Sequence, residues 1–217
     1  MNIFKQPIFL GILAVALIIT LILSFVSKKD ATQTGSNQSA TSGTTAQPES
    51  NLTTADPSDY DDILKTELAA ATKFAIEFNP DYKISVVEVE IGASLQPETI
   101  NTRYAFSTAK DIRNNWVYTT SQDNGSFLRA LIPKADYLGD IVPINMSLWK
   151  YNYIPVLQMV DKTAGKDWRS KNTLTGIKMT LKESADLKNL YWTVEYLGDN
   201  GNSITVVDAT TLIIAQQ

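Results

Sequence analysis

The 217-residue chain contains neither cysteine nor histidine. Without cysteine it can form no disulfide bond, no thiolate metal site and no thiol nucleophile. Without histidine it has no Ser-His-Asp triad, no histidine-ligated zinc and no general base whose unperturbed pKa lies near neutrality. An enzyme built from this chain would have to rely on carboxylates, lysine, serine, threonine or tyrosine.

An excess of positive charge is also lacking, since 19 basic and 23 acidic residues give a formal net charge of −4. Nucleic-acid binding needs a basic face with aromatic side chains set among lysines and arginines. No nucleic-acid partner is therefore expected.

The first quarter of the chain differs in composition from the rest. Ile8 to Val26 is a run of 19 residues without a charge, which as a helix would be about 28 Å long and would match the hydrocarbon thickness of a bilayer. A cleaved signal peptide is the alternative, but the run exceeds the usual apolar region and no small-x-small cleavage site follows it. We predict a retained single-pass transmembrane anchor at residues 1–27. The flanking lysines are nearly balanced, and we expect the C-terminal body to lie outside the cytoplasm on a cell membrane.

Residues 28–57 are rich in Ser, Thr, Ala, Gln, Gly and Asn and contain no aromatic residue. Such a segment cannot bury enough apolar surface to offset the entropy cost of ordering it. We predict a disordered linker that ends where the folded body begins, at Ser58.

The clearest local signal in the body is a β-hairpin at Tyr191 to Asp208, where two alternating apolar runs flank Asn200-Gly201. A shift of 76 positions places Trp116 on Trp192 without a gap and aligns a second Asp-Asn-Gly turn. The sequence therefore indicates a repeated unit.

The sequence pattern of each half predicts a helix, then a strand, then a hairpin. In the first half Leu64, Leu68, Ala71, Ala75 and Phe78 form one apolar stripe at helical spacing. In the second half Asn152 is a candidate cap for a helix that Gly165 ends. We predict an α+β fold of two tandem units, residues 58–143 and 144–217, each with one helix packed on a small antiparallel sheet.

The second half resembles a PepSY domain over residues 152–214. The matching elements are a W-x-V-x-Y strand at Trp192–Tyr196, a turn at Asp199–Gly201 and a V-D-A-x-T element at Val207–Thr211. Leu212 departs from the pattern, since the family usually places a glycine there. Residues 61–133 match only in outline and resemble a degenerate first copy.

The resemblance implies a PepSY/cystatin-like fold and a noncatalytic interaction domain. It further implies that the membrane-tethered body regulates or scaffolds a cell-envelope protease or a cell-wall enzyme. The family has no accepted catalytic residues, and no catalytic residue, cofactor or metal is expected here. The alternative is a cystatin-like domain that binds a peptide, glycan or lipid between helix and sheet.

Few residues in the chain are candidates for chemistry. Glu88 and Glu90 share one strand face, as two glycosidase carboxylates would, but a solvated strand face is the simpler interpretation. Aromatic residues are the better candidates for an interaction site, either in the core and the seam between the halves or on a recognition patch. These candidates are Trp149, Tyr151, Tyr153, Trp116 and Trp192.

The two functional hypotheses predict different surfaces. A partner bound at a sheet edge by β-augmentation requires an exposed apolar edge or patch. A ligand-binding domain requires a pocket lined by the tryptophans and tyrosines.

Overall fold

A computed structural model describes residues 51–110, 113–120, 127–134, 141–184 and 186–215. These residues form one antiparallel sheet of seven strands, in the order β4-β3-β2-β1-β5-β6-β7. The strands are β1 (Lys83–Gly92), β2 (Ile100–Ser107), β3 (Asn114–Thr120), β4 (Phe127–Pro133), β5 (Leu174–Glu183), β6 (Leu190–Gly198) and β7 (Ser203–Asp208).

The two halves of the chain meet at the pairing of β1 with β5. Both strands alternate apolar and polar residues, so each has one face suited to the core. Val89 lies opposite Met179 and Val87 lies opposite Leu181, and all four side chains are buried. The predicted fold of two tandem units, each with its own small sheet, is therefore wrong, because this pairing makes one continuous sheet.

The helices lie on one face of the sheet. The long helix α1 (Ser58–Phe78) packs across β1, β2 and β3, and α2 (Tyr153–Val160) packs on β6. A π-helical turn (Asp161–Gly165) joins α2 to the short α3 (Lys166–Arg169). Gly165 thus does not end the second helix as predicted. The one-turn 3₁₀ helix Pro97–Thr99 precedes β2.

The ordered body begins before the predicted boundary at Ser58. Leu52 is buried and its backbone N–H donates to the carbonyl of Leu95 at 3.0 Å. Asp56 accepts hydrogen bonds from the backbone N–H and the hydroxyl of Ser58, and these bonds hold the pKa of its carboxyl below the usual value. Residues 28–50 of the predicted linker lie outside the described residues.

One large core fills the space between the helices and the sheet. It joins residues of both halves, including Val89 and Tyr104 from the first and Trp192 and Val194 from the second. Among the described residues, the opposite face carries a small apolar cluster formed by buried residues of three adjacent strands. These are Val86, Ala105 and Val117.

Charged side chains occupy the centre of that opposite face. Glu88 Oε2 lies 2.8 Å from the guanidinium of Arg103, and Glu88 Oε1 lies 3.7 Å from the ammonium of Lys178. Glu90 is exposed two residues further along β1. Glu88 is thus held in a cross-strand ion pair, while its proposed partner faces solvent.

The two predicted hairpins are present as β3–β4 and β6–β7. Gly201, in the second turn, has a φ of 117°, a backbone conformation that glycine adopts without steric cost. The turn of the first hairpin lies outside the described residues. The predicted last strand near Leu212 is reduced to a single bridge between Val207 and Ile214.

No helix in the described ranges is long and apolar enough to cross a membrane. The predicted single-pass transmembrane helix is not among the helices of the described ranges. The predicted anchor, residues 1–27, lies outside the described residues.

Candidate functional site

Two of the five predicted interaction residues belong to the seam between the segment before α2 and strand β6. Trp192 is completely buried, and its indole N–H donates to the carbonyl of Tyr151 at 2.9 Å. Trp149 packs edge-on against Trp192, with ring centroids 6.3 Å apart. These contacts fasten the chain at residues 149–151 to the sheet.

Tyr153 continues this seam toward the first half of the chain. It is buried at the start of α2 and packs edge-on against Tyr60 of α1, with ring centroids 6.4 Å apart. The side-chain amide of Asn152 donates to Asp61, also on α1. Asn152 therefore links two helices and makes no cap for its own helix. Tyr151, between these residues, keeps an exposed side chain.

Trp116 lies apart from the other four, near the outer strands of the first half. The ring of Phe78 stacks on it, with centroids 4.4 Å apart and an angle of 9° between the planes. The guanidinium of Arg129 lies 5.8 Å from the centroid of the Trp116 ring, a distance typical of a cation–π contact. Trp116 is thus buried below side chains from α1 and β4.

Phe74 and Phe78 form an aromatic wall along the exposed side of α1. Phe74 stacks on Tyr118 with ring centroids 5.9 Å apart, just as Phe78 stacks on Trp116. Phe78 nevertheless remains 57% exposed, although the sequence pattern predicts it to be a core residue. The wall therefore presents apolar surface beside the outermost strands.

Strand β4 forms the edge of the sheet next to this wall, and no described residue pairs with its outer side. Its side chains alternate between the faces, since Arg129 and Leu131 lie opposite Tyr118 and Trp116, respectively. Leu131 is 46% exposed and Leu128, on the other face, is 67% exposed. We call β4 and the aromatic wall together the open edge.

Strand β7, at the other side of the sheet, is partly closed by the chain itself. The N–H of Asp208 donates to Ile213 and the N–H of Ala215 donates to Val206, both at 2.8 Å. Residues 213–215 therefore occupy part of the outer side of β7. The two edges of the sheet differ in this respect.

A cleft of about 300 Å³ lies between α1 and the segment before α2. Trp149 is the only one of the five predicted interaction residues among its lining residues, and Lys65 and Lys150 line the same cleft. The lining residues are Asp61, Leu64, Lys65, Leu68, Met146, Trp149, Lys150 and Asn152.

A smaller cleft of about 140 Å³ shares Leu64 with the first cleft and is also lined by Glu67. Glu67 Oε2 accepts hydrogen bonds from the hydroxyl of Thr102 at 2.6 Å and from that of Tyr104 at 2.9 Å. Burial, and then the charge of Glu67, raise the pKa of Tyr104 and of Tyr153 above the usual value. Both phenols therefore remain protonated and neutral at physiological pH.

One further charged pair joins the π-helical turn to α3, with Asp161 largely buried and Arg169 about one third exposed. Asp161 accepts hydrogen bonds from the guanidinium of Arg169 at 2.7 Å and from the hydroxyl of Tyr196 at 3.2 Å. Burial and the Asp161 charge raise the pKa of Tyr196. The hydrogen bond between Tyr196 and Asp161 links the π-helical turn to β6. Within the described ranges, no cluster of three or more acidic side chains could hold a metal ion.

Comparisons with known proteins add little to this geometry. No protein-family model and no curated protein matches the chain. One solved structure, of a protein provisionally described as a lipoprotein from Clostridium difficile 630, matches with 11% sequence identity and a TM-score of 0.42. The match covers 76% of this chain and 96% of that one. A likeness at this level carries no argument about function, and the PepSY resemblance stays a prediction from the sequence.

The open edge was not predicted from the sequence. Phe74 and Phe78 are four residues apart, so they share a helix face, and this spacing was the only available signal. Which strand becomes an edge depends on the pairing of β1 with β5, which no local pattern specifies. The sequence pattern therefore does not distinguish Leu128, Arg129 and Leu131 from other hairpin residues.

Proposed function

We propose that this chain is a noncatalytic protein-binding domain whose partner adds an extended segment to β4. The observation that carries the proposal is the contrast between the two edges of the sheet. Residues 213–215 close part of β7, whereas no described residue pairs with the outer side of β4. An unpaired edge strand presents alternate N–H and C=O groups to any extended chain that approaches it.

The side chains around β4 indicate which segment would bind. Leu131 and the aromatic wall offer apolar contacts on the helix side, and Leu128 offers one on the other side. Arg129 makes no ion pair with any described residue. The matching partner is an extended segment with alternating apolar residues and one carboxylate placed to pair with Arg129.

The alternative hypothesis of a small-ligand domain has weaker support. It requires a pocket lined by the tryptophans and tyrosines, but the larger cleft contains only Trp149 from that set. The exposed apolar residues of the open edge favour a protein partner. A location outside the cytoplasm, and an envelope protease or cell-wall enzyme as the partner, stay predictions from the sequence alone.

Selection of displayed peptides tests the proposal. Random extended peptides are selected on the full chain, kept in detergent because its N-terminal region contains a long apolar run. We expect the selected peptides to share alternating apolar residues and an acidic residue. Leu131→Lys removes an apolar contact and adds a charge at the edge, so it should weaken binding about tenfold or more.

Ile204→Lys is the matched control, because Ile204 is an exposed apolar residue on the opposite edge strand β7. It should leave the affinity of the selected peptides unchanged. Equal affinities of the Leu131→Lys variant and the wild type would contradict the proposal. So would a loss of binding that occurs only in the Ile204→Lys variant.

A further inference from the structure

Glu67 is a partly buried carboxylate without a cationic partner among the described residues. It lies on the side of α1 that faces β2, and it accepts hydrogen bonds from two neutral hydroxyl groups, those of Thr102 and Tyr104. By contrast, Glu88 and Asp161 are each paired with an arginine. A carboxylate partly removed from water and left without a counter-charge favours a cation that can reach it.

The cleft beside Glu67 can admit such a cation. Its volume of about 140 Å³ corresponds to about four or five water molecules. Pro97 and Ile100 provide apolar walls, and Tyr60 and Tyr153 provide aromatic ones. The space therefore fits a short apolar stem that ends in one small charged group.

The chemistry of the walls favours an ammonium group. Tyrosine rings attract cations through the negative face of the π-system. The carboxylate supplies the opposite charge, and an ammonium group can donate to its second oxygen. The phenols of Tyr104 and Tyr153 have raised pKa values, so they stay neutral and add no competing charge.

We propose that the cleft formed by Glu67, Tyr60 and Tyr153 binds a primary ammonium group on a short aliphatic stem. Two sources carry this group: the side chain of a lysine in another protein, and a free alkylamine. The cleft involves α1, the start of α2, the 3₁₀ helix and β2, and β4 contributes no residue to its lining. The inference therefore goes beyond the proposed function and does not depend on it.

Titration of the isotope-labelled full chain with n-butylamine and with N-acetyl-lysine methylamide tests this inference. We expect saturable chemical-shift changes at Tyr60, Ile100 and Tyr153 with both amines. N-acetyl-norleucine methylamide, which lacks the charge, should cause no saturable change. Tighter binding of the lysine derivative would identify a protein lysine as the source, and equal binding would identify a free amine.

Glu67→Gln is the decisive variant, because its amide oxygen can still accept from Thr102 and Tyr104 while the charge is lost. It should weaken amine binding about tenfold or more. Glu77→Gln, an exposed position on the same helix, should bind as the wild type does. The inference is overturned if neither amine saturates below about 50 mM, if the neutral analogue binds equally well, or if Glu67→Gln binds as tightly as wild type. If Glu67→Gln fails to fold, the comparison of charged and neutral probes on the wild type decides the question.

Discussion

Three leucine residues adopt a left-handed backbone conformation, which costs free energy in a side chain with a Cβ atom. Leu95, Leu187 and Leu212 have φ values of 55°, 58° and 59°. Leu187 is also exposed, so its side chain gains little from packing. Its backbone N–H donates to Ser184 in the turn between β5 and β6.

Leu187→Asn should raise the free energy of unfolding by about 0.5 to 1 kcal/mol, because asparagine tolerates the left-handed region better than leucine. Leu187→Val, with a β-branched side chain, should lower it by a similar amount. Urea denaturation of both variants measures the difference. An asparagine variant less stable than the valine variant would contradict this description of the turn.

Buried tyrosines make the protein sensitive to alkali. Burial raises the pKa of Tyr104, Tyr153 and Tyr196 above their usual value of 10.0. The folded state therefore retains protons that the unfolded state releases, so the stabilisation is complete below pH 10 and falls as the pH rises further.

Tyr196→Phe should reduce the slope of stability against pH above pH 10 by up to about 1.4 kcal/mol per pH unit. The same variant loses the hydrogen bond to Asp161, and this lowers stability by about 1 kcal/mol near neutrality. Urea denaturation at a series of pH values separates the two effects. An unchanged slope would show that Tyr196 ionises equally in both states.

At the scale of the elements, Gly165 shows that close packing can require a glycine inside a helical segment and not at its end. Gly165 is buried in an ordinary helical conformation, and a Cβ atom there would lie 2.5 Å from the hydroxyl oxygen of Tyr196. Glycine is required at this position by the close approach of β6. That requirement is tertiary, so the sequence pattern misidentified the residue as a helix end.

Gly165→Ala should destabilise the protein by about 1 to 3 kcal/mol, because the added methyl group forces Tyr196 out of its place beside Asp161. Lys166→Ala, an exposed neighbour, should stay within about 0.5 kcal/mol of wild type. Thermal and urea unfolding measure both variants. Equal stability of Gly165→Ala and wild type would mean that the helix does not seat on Tyr196.

The elements also show where sequence reasoning succeeds. The hairpin at Asn200-Gly201 and the helix from Ser58 to Phe78 depend on local turn chemistry and helical periodicity, and both are present.

Strand β2 breaks the predicted repeat, because it lies between β1 and the first hairpin, whereas β6 of the second hairpin pairs directly with β5. Trp116 and Trp192 each lie on the inner strand of an edge hairpin, but β2 separates the hairpin of Trp116 from β1. The polar cleft at Glu67 likewise depends on contacts 35 and 37 residues apart.

At the scale of the whole molecule, the central pairing of β1 with β5 predicts that both halves of the described body unfold together. Val89→Ala should cost about 1 to 3 kcal/mol, and Leu181→Ala should cost about 2 to 5 kcal/mol, since both side chains are fully buried. Each variant should shift one single transition, seen alike by calorimetry, circular dichroism and tryptophan fluorescence. Two separate transitions, each moved by only one of the variants, would indicate independent halves.

The single sheet also determines the surface on which the proposed function depends. Because the two halves share one sheet, β4 and β7 are the edges among the described strands, and residues 213–215 close part of β7. The side chains of Leu128, Arg129 and Leu131 acquire their proposed role from this arrangement. The central claim is that β4 accepts an extended segment of a partner.

Hydrogen exchange of the β4 amides, with and without a selected peptide, tests that claim most directly. Outward-facing amides of residues 128–132 should exchange rapidly in the free protein and slow about tenfold or more in the complex. Amides of β7 should keep their rates. Protection at β7 or around the Trp149 cleft, with unchanged exchange along β4, would contradict the account.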